Sequence, residues 1–243
     1  MFWDVRLPGL RKEEREPIYG ELARVLAALH SVDPVALGLG DHGQGGSYIA
    51  RQVRRWSRQY EASRTETIPS MQALMRYLPE HLSAEGQARI VHGDYRLDDL
   101  LFDAEQPRCL AVIDWELSTL GNPLADLAYT CMLYDVALPK IGGLAGVDLE
   151  SEGIPDEEAF LRAYLSHRVG ELDFDPGPFD GSAPIPGWPY FKAFSIFRLA
   201  AIAQGVYKRS LKGNASSERA GMFGQVVHFL ADAACRILDL PSP

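Results

Sequence analysis

The sequence has few cysteines and no long apolar run. Cys109, Cys131 and Cys235 are the only three in 243 residues, an odd number without a C-x-x-C pair. This pattern argues against a disulfide framework or a zinc site and favours a reducing, cytoplasmic location. Trp3 and Asp4 stand where an export signal needs apolar residues, and no run of about 18 uncharged apolar residues occurs. We therefore expect neither export nor membrane insertion.

An excess of positive charge is also lacking. The chain carries 24 Lys and Arg against 33 Asp and Glu, a formal net charge of −9. Nucleic acid or an anionic membrane is therefore not expected to be the main partner. A hydrophobic fraction of 47% is ordinary for a globular protein. Because no repeat or low-complexity tract divides the chain, we predict a single domain over residues 1–243.

Several catalytic motifs are missing. The sequence contains no G-x-S-x-G and no H-E-x-x-H. Residues 38–43 match G-x-G-x-x-G, but a dinucleotide fingerprint follows a strand and opens a helix. Here the match follows a predicted helix and the Asp33-Pro34 break. We interpret this segment as a flexible linker.

Apolar residues recur at helical spacing through much of the chain. This spacing predicts helices over residues 13–32, 47–62, 68–82, 155–170, 188–212 and 216–240. Asn122-Pro123 predicts a further helix start, because Asn is a good N-cap and Pro suits the first helical position. His30, at the end of the first helix, is interpreted as a packed or capping residue. The second helix has an arginine-rich side, which is either a solvated face or a docking surface for an anionic group. Its arginines are Arg51, Arg54, Arg55 and Arg58.

Short apolar runs near the middle of the chain predict strands. Residues 88–91 can form one strand, and residues 100–103 and 109–113 can form two more, with a turn between them. The polar, Asp-rich segment 92–99 is a loop rather than a continuation of the first strand. The sequence therefore predicts a mostly helical α+β fold with a small central β-hairpin.

The hairpin predicts a pair of carboxylates. If its strands pair about Gln106 and Pro107, Asp99 lies directly opposite Asp114, with Cβ atoms about 5 Å apart. Two carboxylates this close repel unless a cation lies between them or one is protonated. Mg²⁺ takes oxygen ligands of this kind, usually together with substrate phosphates.

Further charged residues surround this pair. Asp94 lies in the loop and is free to act as a base towards a substrate hydroxyl, and Arg96 can neutralise a transferring phosphoryl group. With Asp98, Asp99 and Asp114 nearby, the pKa of at least one acid should be raised when no metal is bound. The alternative interpretation is a solvated acidic loop on a hairpin.

The motifs in this region resemble a known family. Residues 92–98 read His-Gly-Asp-Tyr-Arg-Leu-Asp, and residues 114–121 read Asp-Trp-Glu-Leu-Ser-Thr-Leu-Gly. They are similar to the catalytic loop and the metal-binding Asp-Phe-Gly of kinases. With residues 2–9, 126–129 and 213–217, they resemble the aminoglycoside phosphotransferase-like, protein-kinase-like family. The nearest resemblance is to the branch that also occurs fused to acyl-CoA dehydrogenases.

The resemblance implies a fold and an activity. The fold is the C-terminal lobe of a kinase-like phosphotransferase, and the reaction is transfer of the ATP γ-phosphoryl group to a hydroxyl on a small molecule. A hydroxyacyl thioester and an aminoglycoside are both candidate substrates. The implied cofactor is Mg²⁺ or Mn²⁺, with ATP as co-substrate.

The resemblance also implies roles for individual residues. The catalytic residues are Asp94 as base and Arg96 as the stabiliser of phosphoryl charge. The metal ligands are Asp99 and Asp114. Support for the site is expected from two further residues, His92 and Asp126.

Two features depart from the family pattern. The family has Asn where this chain has Asp99, and it has an N-terminal lobe before the segment that matches residues 2–9. We therefore expect poor ATP binding by this chain alone. The alternative is a truncated or non-catalytic kinase-like binding module that needs an N-terminal lobe from another chain or a dimer partner.

Overall fold

The computed structural model describes residues 2–43, 46–83, 86–138, 142–170, 185–212 and 223–241. The helices in these ranges are α1 (Lys12–Ser31), α2 (Tyr48–Ser63), α3 (Pro69–Glu80), α4 (Pro123–Cys131), α5 (Leu149–Glu152), α6 (Glu157–His167), α7 (Trp188–Leu211) and α8 (Phe223–Ile237). The strands are β1 (Arg89–Val91), β2 (Leu100–Phe102), β3 (Cys109–Val112), β4 (Thr119–Gly121), β5 (Ala137–Leu138) and β6 (Gly142–Gly143). The predicted α+β, mostly helical class is confirmed.

The chain divides into two compact units, each made of two segments. The first contains Met1–Gly45 and Gly86–Ile185, and the second contains Gly46–Glu85 and Pro186–Pro243. All strands of the described residues lie in the first unit. The two units do not decide whether the chain folds as one domain, so the single domain over residues 1–243 stays a prediction.

The second unit is helical, with α2 and α8 packed against α7 and α3 packed against α8. Ser47 caps α2 by accepting a hydrogen bond from the Ala50 amide at 3.1 Å. The buried face of α2 includes Val53 and Trp56, while its arginine-rich side is largely exposed. Whether that side binds an anionic group stays a prediction. None of the described helices is long and apolar enough to cross a membrane.

The first unit packs α1 against α6 and places β1 and β3 beside α1. The predicted start of α4 is confirmed, because the Asn122 side chain accepts a hydrogen bond from the Leu124 amide at 2.9 Å and Pro123 takes the first helical position. All nine residues of α4 are buried. The helix that carries Asp126 is therefore a fixed element of the core.

Three two-stranded antiparallel sheets occur among the described residues: β1 with β4, β2 with β3, and β5 with β6. The pair β2–β3 is the predicted hairpin. In the pair β1–β4, Val91 lies opposite Thr119. This pairing brings the loop that follows β1 next to the segment that precedes β4.

The predicted hairpin register is wrong by one residue. Leu100 lies opposite Val112, and the register shifts again between Leu101 and Phe102. The Ile113 amide donates to the Asp99 carbonyl at 2.9 Å, so Ile113 rather than Asp114 takes the place opposite Asp99. The turn itself is centred one residue earlier than predicted, since the Asp103 amide donates to the Arg108 carbonyl at 2.9 Å. This displaces the register by two residues, and the β-bulge, which adds a residue to one strand, restores one of them.

The glycine-rich segment 38–43 forms a series of turns. Among the described residues no strand precedes it and the next helix begins only at Tyr48, so its rejection as a nucleotide fingerprint is confirmed. The description as a flexible linker is wrong for its last residues, because the Leu120 amide donates to the His42 carbonyl at 2.7 Å. Gln44 and Gly45, the predicted helix start at residue 216 and the motif at 213–217 lie outside the described residues.

Candidate active site

The loop that follows β1 is held by a buried carboxylate on α4. Asp126 is 1% exposed. It accepts hydrogen bonds from the backbone amides of His92 at 2.5 Å and Gly93 at 2.8 Å. Hydrogen bonds to an ionised acceptor are about twice as strong as neutral ones. Asp126 therefore fixes the backbone immediately before Asp94.

Glycine is required at position 93. Its φ of +87° lies in the left-handed region, which disfavours residues with a Cβ. A Cβ at this position would lie 2.7 Å from the carbonyl oxygen of Leu117. The absence of a Cβ thus lets the loop approach the segment before β4.

The imidazole of His92 bridges the loop and the end of the hairpin. Its Nδ1 accepts the Asp94 amide at 3.3 Å, so Nε2 carries the proton and donates to the Ile113 carbonyl at 2.8 Å. The ring is fully buried. His92 therefore connects the backbone of Asp94 to the residue that precedes Asp114.

Asp94 presents a carboxylate oxygen to which no described residue donates a hydrogen bond. Its Oδ1 is buried and meets no hydrogen-bond donor in the part of the chain that the structure describes. Buried polar atoms are nearly always paired, and leaving one unpaired costs about 1–3 kcal/mol. The backbone of Asp94 is fixed, whereas this oxygen is available to an incoming donor.

Arg96 is paired with a neighbouring acid. Its guanidinium donates to the Asp98 carboxylate, and the side chain is 35% exposed. The sequence did not predict this pair. The structure thus places the positive charge of Arg96 in the acidic loop but commits part of it to Asp98.

Asp99 and Asp114 lie at the end of the hairpin, in different local structures. Asp99 ends a 3₁₀ turn and is 9% exposed. Asp114 has a φ of +65°, a left-handed conformation that Asp tolerates better than most residues. Although the two are not directly opposed, their charges interact, since Asp114 contributes to the raised pKa of Asp99.

The prediction of a raised pKa in the acidic loop is confirmed for Asp99. Burial is the largest cause, followed by the negative charges of Asp98 and Asp94, and together they raise the pKa to about 7. A bound cation would relieve the repulsion that these carboxylates exert on each other.

The donor set fits Mg²⁺ shared with a ligand. No group of three or more His, Cys, Asp or Glu side chains is arranged to hold a metal within the described ranges. Mg²⁺ commonly takes only one or two protein carboxylates and completes its coordination with phosphate and water. Asp99 and Asp114 are of the right chemical type for that kind of site.

Besides the Arg96–Asp98 pair, sequence reasoning missed two further features of this region. Strand β4 was not predicted, although its pairing with β1 brings the two halves of the motif together. The centroid of the Trp115 ring lies 4.9 Å from that of the His92 ring, and the two ring planes make an angle of 62°, which is an edge-to-face contact. Because Trp115 is 42% exposed, its apolar surface borders the site.

Relatives of the chain include parts of longer proteins. It is 43% identical to acyl-CoA dehydrogenase family member 10 of Mus musculus over 96% of its length, and 39% identical to acyl-CoA dehydrogenase family member 11 of Rattus norvegicus over 98%. It covers only 21% and 29% of these two proteins. The match thus concerns one portion of each relative.

Solved structures share the fold. A protein from Ralstonia eutropha, provisionally assigned as an aminoglycoside phosphotransferase, has a TM-score of 0.85 and 43% identity; the match covers 98% of this chain and 69% of that one. Choline kinase from Cryptosporidium parvum has a TM-score of 0.62 at 13% identity, over 91% of this chain and 66% of that one. The second likeness concerns the fold alone.

The family comparison covers the site itself. The model of the phosphotransferase enzyme family matches residues 3–168, which include every site residue discussed above. The chain therefore belongs to the phosphotransferase enzyme family.

Proposed function

We propose that the protein transfers the γ-phosphoryl group of ATP to a hydroxyl group of a small molecule. The observation that carries this proposal is the unpaired, buried Oδ1 of Asp94 on a loop whose backbone Asp126 fixes. A general base needs to be positioned and to have an acceptor free for the substrate proton. Asp94 meets both requirements.

The other residues take supporting roles in the proposal. Asp99 and Asp114 would hold Mg²⁺ or Mn²⁺, which when bound neutralises charge on the phosphates. Arg96 would stabilise phosphoryl charge with the part of its guanidinium that its contact with Asp98 leaves available. His92 and Asp126 hold the loop backbone.

The names of the relatives suggest two substrate classes. Hydroxyacyl thioesters fit the acyl-CoA dehydrogenase family members, and aminoglycosides fit the Ralstonia protein. Of these we favour the hydroxyacyl thioester, since proteins that contain a similar portion are named for acyl-CoA chemistry. None of the three cysteines is in a disulfide, which suits a reducing compartment such as the cytoplasm.

Phosphoryl transfer can be measured directly. Because ATP binding by this chain alone is expected to be poor, the protein is incubated with MgCl₂, millimolar radiolabelled ATP and either a hydroxyacyl-CoA or kanamycin. Phosphorylated product is then separated from ATP. We expect transfer to the hydroxyacyl-CoA, reduced about 10²–10⁴-fold in Asp94→Asn. Transfer that persists unchanged in Asp94→Asn would refute the role of Asp94.

Metal binding gives a test that does not depend on the substrate. Water-proton relaxation with Mn²⁺ should show weak binding that is lost in Asp114→Ala. Asp103→Ala is the matched control, because this acid lies at the other end of strand β2 and binds the turn amides of Glu105 and Gln106. Equal Mn²⁺ binding by Asp114→Ala and wild type would remove Asp114 from the metal site.

A further inference from the structure

A histidine outside the recognised motifs lies next to the carboxylate that holds the loop. His30 is in the last turn of α1 and is completely buried. Its Nε2 lies 3.5 Å from Oδ2 of Asp126, slightly longer than a standard N–H···O hydrogen bond. No hydrogen-bond partner for Nε2 exists among the described residues, so the Asp126 carboxylate is the acceptor it faces.

A tyrosine sets the orientation and tautomer of this histidine. The Tyr164 hydroxyl, on α6, lies 2.8 Å from Nδ1 of His30, and the two rings make an edge-to-face contact at 5.8 Å. If the hydroxyl donates to Nδ1, the ring proton is on Nε2, which points at Asp126. Burial lowers the pKa of His30, although Asp126 opposes this shift, so a neutral ring is favoured.

The contact matters because Asp126 is a buried charge with few donors. Besides His30, the carboxylate meets the amides of His92 and Gly93. A buried carboxylate is stable only when its oxygens are well paired. A neutral N–H donor on its remaining side limits its rotation and keeps both oxygens directed at the loop.

We propose that Tyr164 and His30 are positioning residues, which orient the Asp126 carboxylate so that it fixes the His92–Gly93 backbone and thereby the side chain of Asp94. Three elements that are distant in sequence, α1, α6 and α4, meet in this chain of contacts. The positioning role rests on these contacts alone, whereas its effect on turnover rests on the proposed function.

Amide hydrogen exchange measures the structural part without any substrate. Tyr164→Phe removes only the hydroxyl, and His30→Leu removes both ring nitrogens. In ¹⁵N-labelled protein, we expect exchange at the His92 and Gly93 amides to become about tenfold faster in both variants, relative to the Leu124 amide. The Leu124 amide is bonded to Asn122 and serves as an internal reference on the same helix.

A matched control separates positioning from general destabilisation. Tyr134→Phe removes a hydroxyl that donates to the Pro155 carbonyl at 2.9 Å in the same unit, and it should leave the His92 and Gly93 rates unchanged relative to Leu124. Should His30→Leu fail to fold, Tyr164→Phe and His30→Gln, which retains a neutral donor, still decide the question. Unchanged relative rates in Tyr164→Phe would overturn the proposal.

Turnover tests the functional part. With a hydroxyacyl-CoA as acceptor, Tyr164→Phe should lower kcat several-fold and leave KM for ATP unchanged, because the binding groups are not altered. Faster exchange without transfer by any variant, wild type included, would refute the proposed function but leave the positioning role standing. Faster exchange with an unchanged kcat would refute the link between loop position and turnover.

Discussion

Substitution of Gly93 by alanine tests how tightly the loop is packed. Two costs add at this position. Alanine has to adopt a φ of +87°, which costs about 1–2 kcal/mol for a residue with a Cβ. The new Cβ would also lie 2.7 Å from the Leu117 carbonyl oxygen, and forcing the backbone apart costs about 1–3 kcal/mol more. The lower entropy of the unfolded alanine chain offsets less than about 1 kcal/mol.

The chain offers a control that shares only the first cost. Gly38 has a φ of +71°, and a Cβ there would meet nothing within 4 Å. In urea denaturation, Gly38→Ala should lower the free energy of unfolding by about 1 kcal/mol, and Gly93→Ala by about 2–4 kcal/mol. Gly93→Ala should also weaken Mn²⁺ binding, whereas Gly38→Ala should not. If the two variants lose equal stability, the close approach to Leu117 has no energetic consequence and our reasoning about this loop is wrong.

Two further predictions concern stability. Asp99 has a folded-state pKa of about 7, above its ordinary 3.8, so its contribution is fully present below pH 3.8 and is lost as pH rises through 7. Asp99→Asn should therefore stabilise the metal-free protein at pH 8 by about 1–2 kcal/mol, allowing for screening by solvent, and should have no effect near pH 3.5. Urea titrations in which the variant and the wild-type protein are equally stable at pH 8 would contradict the raised pKa. Gly20 lies inside α1 with nothing within 4 Å of an added Cβ, so Gly20→Ala should raise the free energy of unfolding by about 0.5–1 kcal/mol. A decrease would show that the stability of this helix does not follow helix propensity.

The helices could be predicted because their signals are local. Apolar spacing gives α2 and α7 within one residue of their observed bounds, and Asn122-Pro123 marks the start of α4. The carboxylates were found in the same way, because Asp94 and Asp99 lie in one short polar segment and Asp114 directly follows a short apolar run. Such features depend on residues a few positions apart.

The features that were missed depend on distant partners. Strand β4 has only three residues and ends in Gly121, so its conformation comes from pairing with β1 rather than from β-propensity. The bulge after Leu101 shifts the hairpin register, and the sequence gives no local sign of it. His30 was identified correctly as packed, but its partner Tyr164 is 134 residues away along the chain.

The connectivity of the second unit has a consequence for synthesis on the ribosome. Helices α2 and α3 emerge early, yet the helices that cover their apolar faces, α7 and α8, follow only after the intervening residues of the first unit. Nascent chains fold largely from the N-terminal end, and exposed apolar surface favours aggregation during that interval. The side chains of Val53, Trp56 and Leu74 therefore remain without their final neighbours until α7 and α8 have been made. A ribosome that pauses before residue 188 would hold a nascent chain whose α2 and α3 present a surface for chaperones, which links the expression of this protein to the speed of translation through α7 and α8.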